Sequence, residues 1–121
     1  MTAYIVFAHG SSVESANEAV RAVSSEAARR GGWTLYETAF LGGGRPNLEE
    51  AVAKLAAEGA ADIVVIPYFL TLGTHMQRDL PRLAQDASQA HGGIEMQITS
   101  PLDGHPALVQ ALLDRASEAL T

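Results

Sequence analysis

Two histidines stand where α/β proteins place their chemistry. The apolar run Ala3-Tyr4-Ile5-Val6-Phe7-Ala8 empties into His9-Gly10-Ser11-Ser12, and a second run, Ile63-Val64-Val65-Ile66, leads through Pro67-Tyr68-Phe69-Leu70 and a polar turn to His75. Neutral imidazole binds Zn, Cu, Ni, Co and Fe, and it also accepts protons near neutral pH. Two imidazoles and one carboxylate would leave coordination positions open for exchange. Glu37 is the nearest carboxylate by position, although a solvated strand residue is its plainer reading. Ser11 and Ser12 fit an anion-holding turn, because Gly10 lets the backbone approach and the next helix offers free N–H groups; they fit helix capping equally well. A hydrolase pair of Ser11 or Ser12 with His75 lacks a G-x-S-x-G turn and an orienting Asp. There is no Walker-A lysine and no G-x-G-x-x-G, so no nucleotide is expected. His91, at a helix end, and His105, beside Pro106, read as structural.

Composition narrows the classes further. With no cysteine, thiolate metal sites, disulfides and thiol nucleophiles are excluded, so any metal must take nitrogen and oxygen ligands. A formal net charge of −6, with Lys54 the only lysine, argues against a general nucleic-acid or anionic-membrane partner. No basic-then-apolar leader precedes the first apolar run, and no run approaches the roughly 20 residues of a membrane span, so a cytoplasmic location is expected. At 121 residues, 47% hydrophobic and 18% charged, residues 1–121 are expected to form a single α/β domain.

The elements that would position the histidines alternate along the chain. Ala3 to Ala8 reads as a central strand. Val13 to about Arg30 reads as a helix, with Ala16, Ala19, Val20, Val23 and Ala27 as its buried stripe and Gly31-Gly32 as its stop. Trp33 to Leu41 fits a second strand, and Gly42-Gly43-Gly44 reads as a flexible loop. Asn47 and Glu50 have the spacing of a capping box for a second helix, with Leu48, Ala51, Val52, Leu55 and Ala56 inward. The third strand is the Ile63 segment. Its helix is expected to begin between Thr74 and Leu80, with Pro81 confined to a first turn or a break, and with Leu80, Leu83, Ala84 and Ala87 as its apolar face. Ile94, Met96 and Ile98 alternate as an edge strand. A last helix from Pro106 to about Leu120 carries Leu108, Val109, Leu112, Leu113 and Ala116.

This βαβαβαβα order predicts a three-layer α/β/α sandwich around a four-stranded parallel sheet in the order 2-1-3-4. The crevice between the first and third strands, where strand order reverses, is then the expected ligand site. His9 and His75 would face each other across it.

The same residues carry a family resemblance. His9-Gly10-Ser11 followed by Asn17, Glu37-Thr38-Ala39-Phe40-Leu41, Pro46-x-Leu48, Phe69-Leu70, Gly73-x-His75 and Asp79-Leu80-Pro81 resemble the small single-domain form of the sirohydrochlorin cobaltochelatases, ATP-independent tetrapyrrole metal chelatases. The resemblance implies insertion of a divalent metal (Co²⁺ in the namesake reaction, Ni²⁺ or Fe²⁺ in relatives) into a carboxylate-rich macrocycle such as sirohydrochlorin. It implies His9 and His75 as metal ligands, read here also as proton acceptors, and a homodimer; Ser11 and Ser12 are the anion-holding candidates for the substrate, and Arg45 or Arg78 the candidates to replace a positive charge missing at Ser12. Family members usually carry Arg where this chain has Ser12, and an acidic residue where it has Gly42. A non-catalytic metal- or tetrapyrrole-binding module of the same fold is the alternative reading.

Overall fold

The computed structural model describes residues 1–120. Strands β1 (Thr2–Ala8), β2 (Leu35–Phe40), β3 (Asp62–Tyr68) and β4 (Glu95–Ile98) alternate with helices α1 (Glu14–Gly31), α2 (Leu48–Ala57), α3 (Thr74–Ala90) and α4 (Pro106–Glu118). All strands pair in parallel, in the order β2-β1-β3-β4. This is the architecture expected from the sequence, and it sets the carboxyl ends of β1 and β3 side by side, with Ala8 opposite Tyr68.

The alternation of side chains along β1 builds two different faces. Ala3, Ile5 and Phe7 join Ala39 of β2, Ile63 and Val65 of β3, Leu48, Ala51, Val52 and Leu55 of α2, and Leu80, Ala84 and Ala87 of α3 in one core. At about 25 cal/mol per Å² of apolar surface removed from water, this face supplies most of the folding drive. The capping box of α2 is present: the Asn47 side chain accepts from the Glu50 N–H, and Glu50 accepts from the Asn47 N–H, both at 2.9 Å. The Asn47 N–H, then the Arg45 guanidinium, hold the Glu50 carboxyl below its ordinary pKa.

Four expectations about the helices need correction. The buried residues of α1 are Asn17, Ser24 and Ala28, while Ala16, Ala19 and Val23 are exposed. Small apolar residues marked the wrong stripe because the helix docks on a polar anchor, Asn17. Pro81 lies inside α3, beyond its first turn. It removes one helical hydrogen bond, and the burial of Leu80, Ala84 and Ala87 on either side holds the helix through it. Leu83 of the expected α3 face is 37% exposed.

The fourth departure is the largest. α4 buries none of its described residues, and Val109, Leu112 and Leu113 are 61%, 72% and 57% exposed. Its apolar residues were expected to cover the sheet. Instead the outward side chains of β3 on the α1 side, Val64, Ile66 and Tyr68, are only half-buried, and Glu95 and Gln97 of β4 are exposed. No helix among the described residues is long and apolar enough to cross a membrane.

Candidate metal and tetrapyrrole site

β1 delivers His9 directly, because the strand ends at Ala8 and the chain turns at Gly10 with φ 88°. The His9 ring packs edge-on against Phe69, with centroids 6.3 Å apart, and Phe69 lies as close to the buried Phe7. His75 does not end its strand. It lies in the first turn of α3, which starts at Thr74 behind the N-cap Gly73. No side chain caps this helix; Gln77 donates to the Leu72 carbonyl at 3.0 Å.

Both histidines line one cavity of about 600 Å³ at the β1–β3 switch point. Leu41, Phe69, Met76 and Leu83 make its apolar walls, and Thr71, Thr74, Asp79 and Arg82 add polar groups. Arg82 donates to Asp79 Oδ1 at 3.0 Å. Arg78 Nη2 stands 3.1 Å from His75 Nδ1. A volume of this size suits a drug-sized or larger flat ligand, for which pockets run about 300–1,000 Å³.

The other residues singled out from sequence lie elsewhere. Ser11 Oγ accepts from the Val13 N–H at 3.0 Å, a capping turn, and neither Ser11 nor the exposed Ser12 lines the cavity. Arg45 is exposed and pairs with Glu50. Glu37 points to the α2 side, where Lys54 Nζ is 2.7 Å away; that ion pair raises the Lys54 pKa. Among the described residues, no cluster of three or more histidine and acidic side chains is arranged to hold a metal. His105 caps α4, its Nδ1 accepting from the Ala107 N–H at 3.0 Å.

The glycine run is no loose loop. The Leu41 N–H donates to the Ala8 carbonyl and the Gly42 N–H to the His9 carbonyl, at 2.9 and 3.1 Å, so the β1–β2 ladder continues past both strands. Asn17, 1% exposed, fastens this arrangement. Its Oδ1 accepts from the Ser11 N–H at 2.9 Å, and its amide donates to the carbonyls of Ser11 at 2.9 Å and Gly43 at 3.1 Å. One buried amide thereby ties the loop after His9 to the Gly43 loop. Sequence reasoning quoted Asn17 only as a motif residue; the signal that could have found its role is a polar residue on the inward face of a helix beside two glycine-bearing turns. Because a buried partner left unsatisfied costs about 1–3 kcal/mol, Asn17→Ala is expected to lower stability by about 2 kcal/mol in a denaturant titration. It should also speed hydrogen exchange at the Ser11 amide.

The family model described as CbiX matches residues 3–119. The chain belongs to the CbiX family. The sirohydrochlorin ferrochelatase of Arabidopsis thaliana chloroplasts is 30% identical over 97% of this chain and 52% of its own length. The sirohydrochlorin cobaltochelatase of Methanopyrus kandleri is 26% identical over 99% of this chain and 98% of its own. Among solved structures, a CbiX protein from Marinobacter aquaeolei superposes with a TM-score of 0.86 at 24% identity, covering 99% and 98% of the two chains. The sirohydrochlorin chelatase SirB of Bacillus subtilis, solved with cobalt, superposes with a TM-score of 0.89 at 23% identity. There, the CbiX chain spans 50% of the SirB length. The family expected from the histidine motifs is the one found.

Proposed function

We propose that this CbiX chain is an ATP-independent chelatase that inserts a divalent metal, cobalt before nickel or iron, into a sirohydrochlorin-type tetrapyrrole. The observation that carries this reading is the placement of His9 and His75 on one apolar-walled cavity at the switch point. Named relatives support it: cobaltochelatases and a ferrochelatase that act on sirohydrochlorin, and a fold relative solved with cobalt.

Insertion needs two pyrrole protons removed and a metal passed from water to four ring nitrogens. Leu41, Phe69, Met76 and Leu83 offer the macrocycle an apolar bed. His9 and His75 take the metal between them, and as it passes to the ring nitrogens the two imidazole lone pairs it vacates accept the two pyrrole protons. With two protein ligands the metal is held loosely enough to leave, and holding it over one ring face makes the transfer a positioned step. Arg82 at the cavity wall is one cation available to a macrocycle carboxylate. Ser11, Ser12 and Arg45 lie outside the cavity lining, and the reading keeps them only as contacts for carboxylates that extend beyond it.

The departures at Ser12 and Gly42 favour one second reading, a module that holds a metal or tetrapyrrole without turning it over. Stoichiometry separates the two. Under anaerobic conditions with excess Co²⁺ and sirohydrochlorin, the chelatase converts many equivalents of macrocycle per protein, whereas a binding module stops at one.

The reading includes a cytoplasmic protein of one domain that works as a homodimer. Its support is the apolar face that α4 leaves open, the half-covered side of β3, and the double length of SirB, for which two copies of this chain would stand. Leu112→Asp puts a charge in the centre of that face and is expected to shift the protein from dimer to monomer in light scattering. A monomeric wild type would contradict the assignment.

A further inference from the structure

On the reading above, His75 must offer the metal a lone pair, and in the structure that lone pair is engaged. Arg78, three residues along α3, places Nη2 3.1 Å from His75 Nδ1. A guanidinium has only donors, so this hydrogen bond has one sense and Nδ1 is the acceptor. The neutral ring then carries its hydrogen on Nε2, and neither nitrogen presents a free pair. Metal capture through Nδ1 requires Arg78 to withdraw. Capture through Nε2 requires the ring hydrogen on Nδ1, which would set N–H against N–H, so Arg78 must withdraw there too.

Arg78 is free to do so. Its side chain is 69% exposed, and its other polar contact is a loose one, Nε to Asp79 Oδ1 at 3.7 Å, with Asp79 already held closer by Arg82. A carboxylate is a stronger partner for a guanidinium than a neutral imidazole, because it accepts two parallel charge-assisted bonds.

We propose that Arg78 gates the metal site and that a carboxylate of the incoming tetrapyrrole opens it. Before the macrocycle arrives, Arg78 occupies Nδ1 and metal affinity is low. A macrocycle carboxylate draws the guanidinium away and releases the lone pair, so metal capture follows macrocycle binding. By linkage, each ligand strengthens the other to the same degree. The device also supplies a cation near the cavity.

The test uses Arg78→Met, which keeps the apolar stem and removes the donors. Co²⁺ binding is measured by calorimetry without tetrapyrrole, and binding of metal-free sirohydrochlorin by anaerobic absorbance titration with chelator present. We expect Co²⁺ affinity to rise about five-fold and sirohydrochlorin affinity to fall about ten-fold, the scale of one neutral and one charge-assisted hydrogen bond. Opposite signs are the signature, since a merely structural lesion weakens both. Unchanged or weaker Co²⁺ binding, or unchanged sirohydrochlorin binding, overturns the proposal. His75→Ala, measured alongside, distinguishes the two levels: if it too leaves Co²⁺ affinity at the wild-type value, the assignment of His75 as a ligand fails and the gate with it.

Discussion

His75→Ala is expected to cut the steady-state rate of sirohydrochlorin metallation by about 100-fold or more, the scale on which a positioned proton acceptor contributes. Losing a ligand adds to that loss, because one remaining imidazole cannot hold a metal over the macrocycle. The side chain is exposed in the cavity and hydrogen-bonds only to the exposed Arg78 among the described residues, so the melting temperature should stay at the wild-type value. An active-site role predicts this split between rate and stability. A structural role predicts that both fall together, and calorimetric melting of the same sample decides between them.

Gly10→Ala is expected to produce the largest loss of stability. A Cβ at position 10 would lie 1.6 Å from the Gly42 carbonyl oxygen and 2.8 Å from its carbon, both backbone atoms that no rotamer change can clear. The residue also holds φ at 88°, in the region that penalises a side chain. Conformational and steric costs together should reach about 3 kcal/mol or more. For a domain of this size that is a fall in melting temperature on the order of 10 °C. Because the Gly42 N–H bonds to the His9 carbonyl, the same substitution moves His9, and metallation should fail even in the fraction that stays folded. A thermal melt and a rate assay of one preparation check both.

The sheet was legible in the sequence because each strand is a short apolar run closed by turn residues. The capping box of α2 was legible because Asn47 and Glu50 have a spacing with a single geometric meaning. The convergence of His9 and His75 on one cavity was legible from topology, because both follow strands that flank the switch point. What sequence patterning missed lies where it carries the least signal. α1 docks through the polar Asn17 and Ser24, so a hydrophobic stripe pointed to the wrong face. The apolar periodicity of α4 is real, but periodicity says only that a face wants covering, and within this chain nothing among the described residues covers it. Gly42-Gly43-Gly44 read as flexible because glycine permits mobility. Here it is used for close approach instead, with a Cβ at Gly43 set to meet the Ser11 backbone at 2.8 Å. Arg78 and Asp79 sit one turn after His75, and only the helix starting at Thr74 reveals which of them reaches the ring.

The most direct measurement of the central claim is anomalous diffraction from crystals soaked with Co²⁺ in the presence of the macrocycle. A cobalt peak is expected inside the cavity, at coordination distance (about 2.0–2.1 Å for a metal–imidazole bond) from a ring nitrogen of His9 and one of His75, and lost in crystals of His75→Ala. A peak elsewhere on the protein, or an empty cavity with metal held only at surface carboxylates, would contradict it.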